Sequence, residues 1–187
     1  MDKNEAKEAV TEYLQAQETE FYFLIEREDN EAELVEEETD IIYFVVKAEE
    51  VISKHIEVEL RFAEERCCCK TYYCQPIGEY EDDGETANRL CRLCNYINTQ
   101  VLNDPVYQSV MALDEKYGDV FIGTNIRYEV LENLFEYTMD YILKYLLGVL
   151  KICCFPLIVY KSSAKSFDEV ASVIKKQTER EDTVDFI

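Results

Sequence analysis

The hydrophobic pattern along this chain changes period repeatedly, and each change marks an element. Over residues 2–18, Ala6, Ala9, Val10, Tyr13, Leu14 and Ala16 recur at helical spacing with acids between them, which predicts an amphipathic helix. "EFYFLIERE" (20–28) and "IIYFVVKAE" (41–49) are runs of β-branched and aromatic residues and predict strands, with "DNEAELVEEETD" (29–40) between them reading as an acidic loop. "HIEVELRFAE" (55–64) is the cleanest strand: Ile56, Val58, Leu60 and Phe62 alternate with His55, Glu57, Glu59 and Arg61, so one face is core and the other wet. After a short turn near Glu64–Arg66 the alternation resumes in "CCCKTYYCQ" (67–75). Cys67, Cys69, Thr71 and Tyr73 share one face, and Cys68, Lys70, Tyr72 and Cys74 the other.

A polar break, "IGEYEDDGE" (77–85), precedes a helix over 85–102. Ala87, Leu90, Cys91, Cys94, Ile97 and Val101 form its apolar stripe. "VYQSVMALDEKYGDVFIGTNIRYE" (106–129) predicts a hairpin in which Gly118 supplies a positive φ. A long helix follows over about 129–150, then "ICCFPLIVY", where Pro156 marks a break. A last helix is expected from Phe167 to Gln177, with Ser166 as N-cap and Glu169 completing a capping box. Runs of hairpin strands rather than strand–helix alternation imply an α+β fold: an antiparallel sheet packed against helices on one side, a two-layer sandwich. The domain is expected to span residues 1–178, with 179–187 as a frayed acidic tail.

Composition narrows the functional classes. With 40 acids against 19 bases the formal charge is −21, a field that repels phosphate backbones and anionic membranes, so no nucleic-acid or membrane partner is expected. The one apolar run long enough to cross a bilayer, Tyr141–Tyr160, contains Lys144, Lys151 and Pro156. Each lysine at mid-bilayer would cost about 3 kcal/mol, so a buried core helix is the better reading. "MDKNEAKEAV" is acidic and lacks an apolar core, so no export signal is expected. Eight cysteines without one imply free thiols in the cytoplasm.

The cysteines raise two chemical hypotheses. A structural zinc site needs four converging thiolates. Cys69 and Cys74 lie about 17 Å apart on a straight strand, whereas Cys67 and Cys69 share a face. The zinc alternative is therefore Cys67, Cys69, Cys91 and Cys94. The same four positions are also core positions, and the half-sites lack the glycine-containing knuckle turns of ordinary zinc sites, so packing is the favoured role and no cofactor is expected. Redox catalysis by "CRLC" is disfavoured because the motif lies inside its helix and follows five acids, both of which keep a thiol protonated. His55, the only histidine, is on the wet face and stands near no nucleophile motif. Glycine-rich phosphate loops and calcium-loop spacings are absent from the sequence. No catalytic residue is predicted, and the chain is not expected to be an enzyme.

The segment "LCNYINTQVLNDPVYQSVMALDEKYGDVFIGTNIRYE" with its following helix resembles the YbjN-like family of small bacterial proteins. Asn95 and Asn98 stand where that family has its asparagines, and Asp114, Gly118 and Val120 fit its hairpin. The likeness covers residues 85–150. It implies a fold like that of the type III secretion chaperones, which dimerise and bind other proteins. The expected function is thus that of a non-catalytic, acidic, chaperone-like interaction module acting as a homodimer. In the helix over 129–150, Leu131, Leu134, Phe135, Thr138, Ile142, Tyr145, Leu146 and Val149 form one stripe. Val130, Tyr137, Tyr141 and Leu147 widen it beyond what one sheet face needs, and these four are the predicted partner interface. The competing expectation is that the last helix, through Phe167, Val170, Val173 and Ile174, covers that second side within one chain.

Overall fold

The computed structural model describes residues 1–26, 32–73, 84–114 and 118–181. In chain order the elements are α1 (Lys3–Ala16), β1 (Phe21–Glu26), β2 (Ala32–Val35), β3 (Ile41–Lys47), β4 (His55–Phe62), β5 (Arg66–Tyr73), α2 (Glu85–Gln100), β6 (Ser109–Asp114), β7 (Asp119–Arg127), α3 (Tyr128–Asn133), α4 (Phe135–Lys161) and α5 (Phe167–Glu181). The strands form one antiparallel sheet in the order β2-β1-β3-β4-β5-β7-β6, with the helices against one face. The fold is the expected α+β sandwich.

The period-two alternation translates directly into burial. Ile56, Val58, Leu60 and Phe62 of β4 are buried, as are Cys67, Cys69, Thr71 and Tyr73 of β5 and Val120, Ile122, Thr124 and Ile126 of β7. Register brings them into cross-strand rows such as Phe44–Val58–Thr71–Ile122–Met111. The helix on β4 is α1, which inserts Ala6, Val10 and Leu14; α2 lies over β6 and against α4. Asp2 caps α1 in a capping box with Glu5, and Lys7 ties the helix to the sheet through Glu38 at 2.7 Å.

Four local expectations are corrected. The acidic stretch before Asp40 holds a strand, β2, an edge strand paired only with β1; acids suit it because its outer edge faces water. The long helix is interrupted at Leu134 (φ −132°, ψ 39°) and passes through a π-helical turn at Tyr141–Leu146. Each interruption shifts the apolar stripe, which is why Leu134 is exposed although it falls on the predicted face. Pro156 does not end the helix, which continues to Lys161. A mid-helix proline costs about 3 kcal/mol, and burial of Ile152, Cys153, Leu157 and Tyr160 around it outweighs that, each large apolar side chain contributing about 1.5–3 kcal/mol. Finally, α5 extends to Glu181 rather than Gln177. Its capping box is as predicted: the Ser166 backbone N–H donates to the Glu169 carboxylate at 2.9 Å, and the Ser166 hydroxyl donates to it at 2.8 Å.

Helix α4 is long and apolar enough to cross a membrane, and 56% of that apolar window is buried within the fold. Tyr73 of β5 donates its hydroxyl to the Leu150 carbonyl at 2.6 Å, pinning α4 to the sheet. On its other side α4 is covered by α2 and by α5, through buried Val170 and Ile174 and half-buried Phe167. Two guanidinium–aromatic contacts seal that layer, Arg89 over Tyr160 at 4.4 Å and Arg92 over Phe167 at 4.1 Å. The second side of the wide apolar helix is thus covered within the chain. Cys74, the break at 77–83 and the chain beyond Glu181, including most of the expected tail, lie outside the described residues.

Candidate functional site: the uncovered sheet face

The thiols occupy packing positions. Cys67 and Cys69 of β5, Cys94 of α2, and Cys153 and Cys154 of α4 are buried, while Cys68 and Cys91 are half-buried; all seven are free. Burial raises the pKa of Cys67, Cys69 and Cys154, and pushes that of Cys94 up to about 12. A metal or redox site needs thiolates, which this environment opposes. Among the described residues no three His, Cys, Asp or Glu side chains are grouped to hold a metal ion, so Cys67, Cys69, Cys91 and Cys94 are not brought together as a ligand set.

The four predicted interface residues do not form one patch. Tyr141 and Leu147 are 4% and 3% exposed, Val130 is half-buried, and only Tyr137 is open, at 45%. The reason is a buried polar cluster that pattern reading missed. Ser109 bridges the hydroxyls of Thr124 and Tyr141, and Tyr107 meets Thr138. Tyr107 and Tyr141 pack at 4.4 Å between ring centroids, and Tyr145 stacks on Tyr141 at 5.1 Å. Tyr137 caps the row by donating to Asp104, whose other oxygen accepts from the backbone N–H groups of Val106 and Tyr107. Burial raises the pKa of Tyr107 and Tyr141, so both remain neutral hydrogen-bonding groups. This cluster packs the loop before β6 against α4, and Tyr145 at its end also lines a cavity of about 240 Å³ with Tyr96 and Gln100.

Asn98 is also structural. Its side chain accepts from the Met111 N–H at 2.7 Å and donates to the Met111 carbonyl at 3.0 Å. The amide thus behaves as one rung of an additional strand on the open edge of β6. Asn95 is exposed, and only its backbone carbonyl is engaged, by Thr99 at 3.1 Å. His55, exposed, begins β4, with Nδ1 3.0 Å from the Ser53 carbonyl.

Among the described residues no helix lies over the second face of the sheet. Three sets of cross-strand neighbours define it: Leu34–Leu24 and Ile41–Arg61–Cys68–Asn125, in which Leu24 and Ile41 are buried; Tyr22–Tyr43–Glu59–Lys70–Gly123–Val110; and Val45–Glu57–Tyr72–Phe121–Ala112. Val110 and Leu34 are each 53% exposed, and Tyr22 and Val45 are open as well. Lys70 lies 4.3 Å from the centre of the Phe121 ring. Both signs of charge are interleaved on this face: Lys47, Arg61, Arg66, Lys70 and Arg127 lie among Glu57, Glu59 and Asp114, and the register also puts Glu26 and Asp119 at positions of this face. An apolar and aromatic face of mixed charge therefore sits on a body of net charge −21.

No known family model matches this chain, and neither the curated proteins nor the solved structures return a match. The functional reading accordingly rests on the chain's own geometry.

Glu57, Glu59 and Arg61, the predicted wet positions of β4, lie on that face and are half-buried. Sequence reasoning did not single out that face as the site. The signal was present in the aromatic residues at wet positions, Tyr22, Tyr43, Tyr72 and Phe121, which a merely solvated face does not require.

Proposed function

We propose that this chain is a non-catalytic protein-interaction module of the cytoplasm, chaperone-like in offering a sheet face to a partner chain. The observation that carries this reading is the uncovered face itself. Aromatic and aliphatic side chains are interleaved with both signs of charge, the composition of a contact surface rather than of a solvated sheet. The neutral buried thiols fit a reducing compartment and a packing role, and no metal, cofactor, nucleic acid or membrane enters the reading. The resemblance of residues 85–150 to the YbjN-like family points the same way. Self-association falls on the outer side of the helical layer, where Phe155 is 68% and Val173 44% exposed, leaving the sheet face free for the partner.

Affinity capture from native lysate, at low and high salt, tests this with wild type and a Val45→Ser, Val110→Ser variant. Both positions are open, so the variant folds. Wild type is expected to retain a discrete partner that the variant loses, and sedimentation equilibrium is expected to give a dimer that Phe155→Glu dissociates. Capture that is unchanged by the sheet substitutions, or no discrete partner at either salt, overturns the reading.

A further inference from the structure

Two arginines at one corner of the open face stand out because they are left without partners. Arg66 and Arg127 are Cα partners across the β5–β7 ladder, and both are exposed. The other described arginine side chains are engaged: Arg61 pairs with Glu59 at 3.2 Å, Arg89 donates to the Tyr160 carbonyl at 2.9 Å, and Arg92 lies over Phe167. Among the described residues neither the Arg66 nor the Arg127 guanidinium has a hydrogen bond or ion pair. Like charges directly opposed across strands are destabilising by some tenths of a kcal/mol, and in a chain of 40 acids a neutralising neighbour would be easily supplied. The two are held on fixed backbone. Arg66 closes the β4–β5 turn, where its carbonyl accepts from the Ala63 N–H at 2.9 Å, and Arg127 ends β7 immediately before α3. Both line a polar cleft of about 590 Å³ together with Asn125, whose Oδ1 accepts from the Cys68 thiol at 3.1 Å, leaving its N–H donors uncommitted.

Resting on the interaction-module reading, we infer that Arg66 and Arg127 clamp a carboxylate of an acidic, apolar-bearing protein segment laid across the open sheet face. Paired guanidiniums match the two oxygens of an oxyanion, and charge-assisted bonds of this kind are the strong ones. A carboxylate is preferred over a phosphate because Asp2, Glu64, Glu65 and Glu129 line the same cleft, and their repulsion grows with the charge of the ligand. The half-buried aromatic rings of the same face, Tyr43, Tyr72 and Phe121, with exposed Val45 and Val110, take the segment's other side chains.

The test is fluorescence anisotropy at about 0.15 M salt with a labelled hexapeptide alternating Glu with Phe and Leu. Its Gln-for-Glu counterpart, inorganic phosphate and an oligothymidylate serve as competing probes. Wild type is expected to bind the Glu peptide about tenfold or more tighter than the Gln peptide, and Arg66→Gln, Arg127→Gln to abolish that difference. Because the two charges repel each other, that variant is expected to be at least as thermostable as wild type, so its loss of binding is not unfolding. Equal affinity for the two peptides, or unchanged binding by the double variant, overturns the clamp. So does displacement by phosphate or oligothymidylate at concentrations at or below that of the Gln peptide. If binding survives the arginine substitutions but is lost in Val45→Ser, Val110→Ser, the clamp is wrong and the module reading stands; if the Glu peptide does not bind and no partner is captured, both fall.

Discussion

Glu169 shows how much one exposed side chain can be tuned by its immediate neighbours. The Ser166 backbone N–H, then Lys165 at 3.0 Å and the Ser166 hydroxyl, lower its pKa from 4.5 to about 2. A carboxyl whose folded-state pKa is depressed contributes stability that is fully present above the unfolded value and is lost as pH falls through the folded one. The stability difference between wild type and Glu169→Gln is therefore expected to be largest above about pH 4.5 and to vanish near pH 2. Gln keeps the capping geometry but not the charge. Urea unfolding of both proteins across that window measures it; a pH-independent difference would mean that the charge contributes nothing to the cap. This residue was fully legible in the sequence because a capping box is a local pattern, complete within four positions. Tyr141 was not, because its hydroxyl finds Ser109 and its ring finds Tyr107, both distant in the chain.

At the scale of elements, the edge strand β6 depends on α2. Asn98→Ala removes both hydrogen bonds to Met111 and leaves a backbone N–H and C=O without partners beside a buried side chain, an expected cost of about 1–3 kcal/mol. The edge also becomes available to another chain. Denaturant midpoints should fall accordingly, and light scattering should rise with protein concentration; a neutral substitution would show that water replaces the amide without loss. Strand faces were legible at this scale. In β4 and β5 every alternating position fell on the predicted side, since side-chain direction in a strand is set by its own backbone. Helix continuity was less so. The break at Leu134 and the passage of α4 through Pro156 reflect what the flanking residues bury, not their own propensities.

For the whole molecule, coverage of α4 within the chain makes a definite claim. With Tyr141 and Leu147 inside, a Tyr141→Glu, Leu147→Glu variant forces two carboxylates into the core, where unpaired charge costs several kcal/mol. It is expected to be unfolded at neutral pH by circular dichroism. A folded, monomeric variant would instead mean that these side chains belong to a surface between subunits. The helical layer is thus complete on its inner side, and the sheet's second face is the large apolar surface without cover from a described element.

The sequence by itself determined the class of the fold, the inward and outward faces of β4 and β5, the cap of α5 and the inward positions of Cys67, Cys69 and Cys94. All of these follow from spacing within a dozen residues, over which a chain's geometry is its own. Tertiary structure alone decided the strand order β2-β1-β3-β4-β5-β7-β6, the placement of α1 rather than α2 on β4, and the cover that α5 gives α4. It also brought Arg66 and Arg127, far apart in the chain, to opposite positions on one ladder. Such contacts are chosen by which arrangement buries the most apolar surface with every backbone group paired, and that is a property of all the elements together.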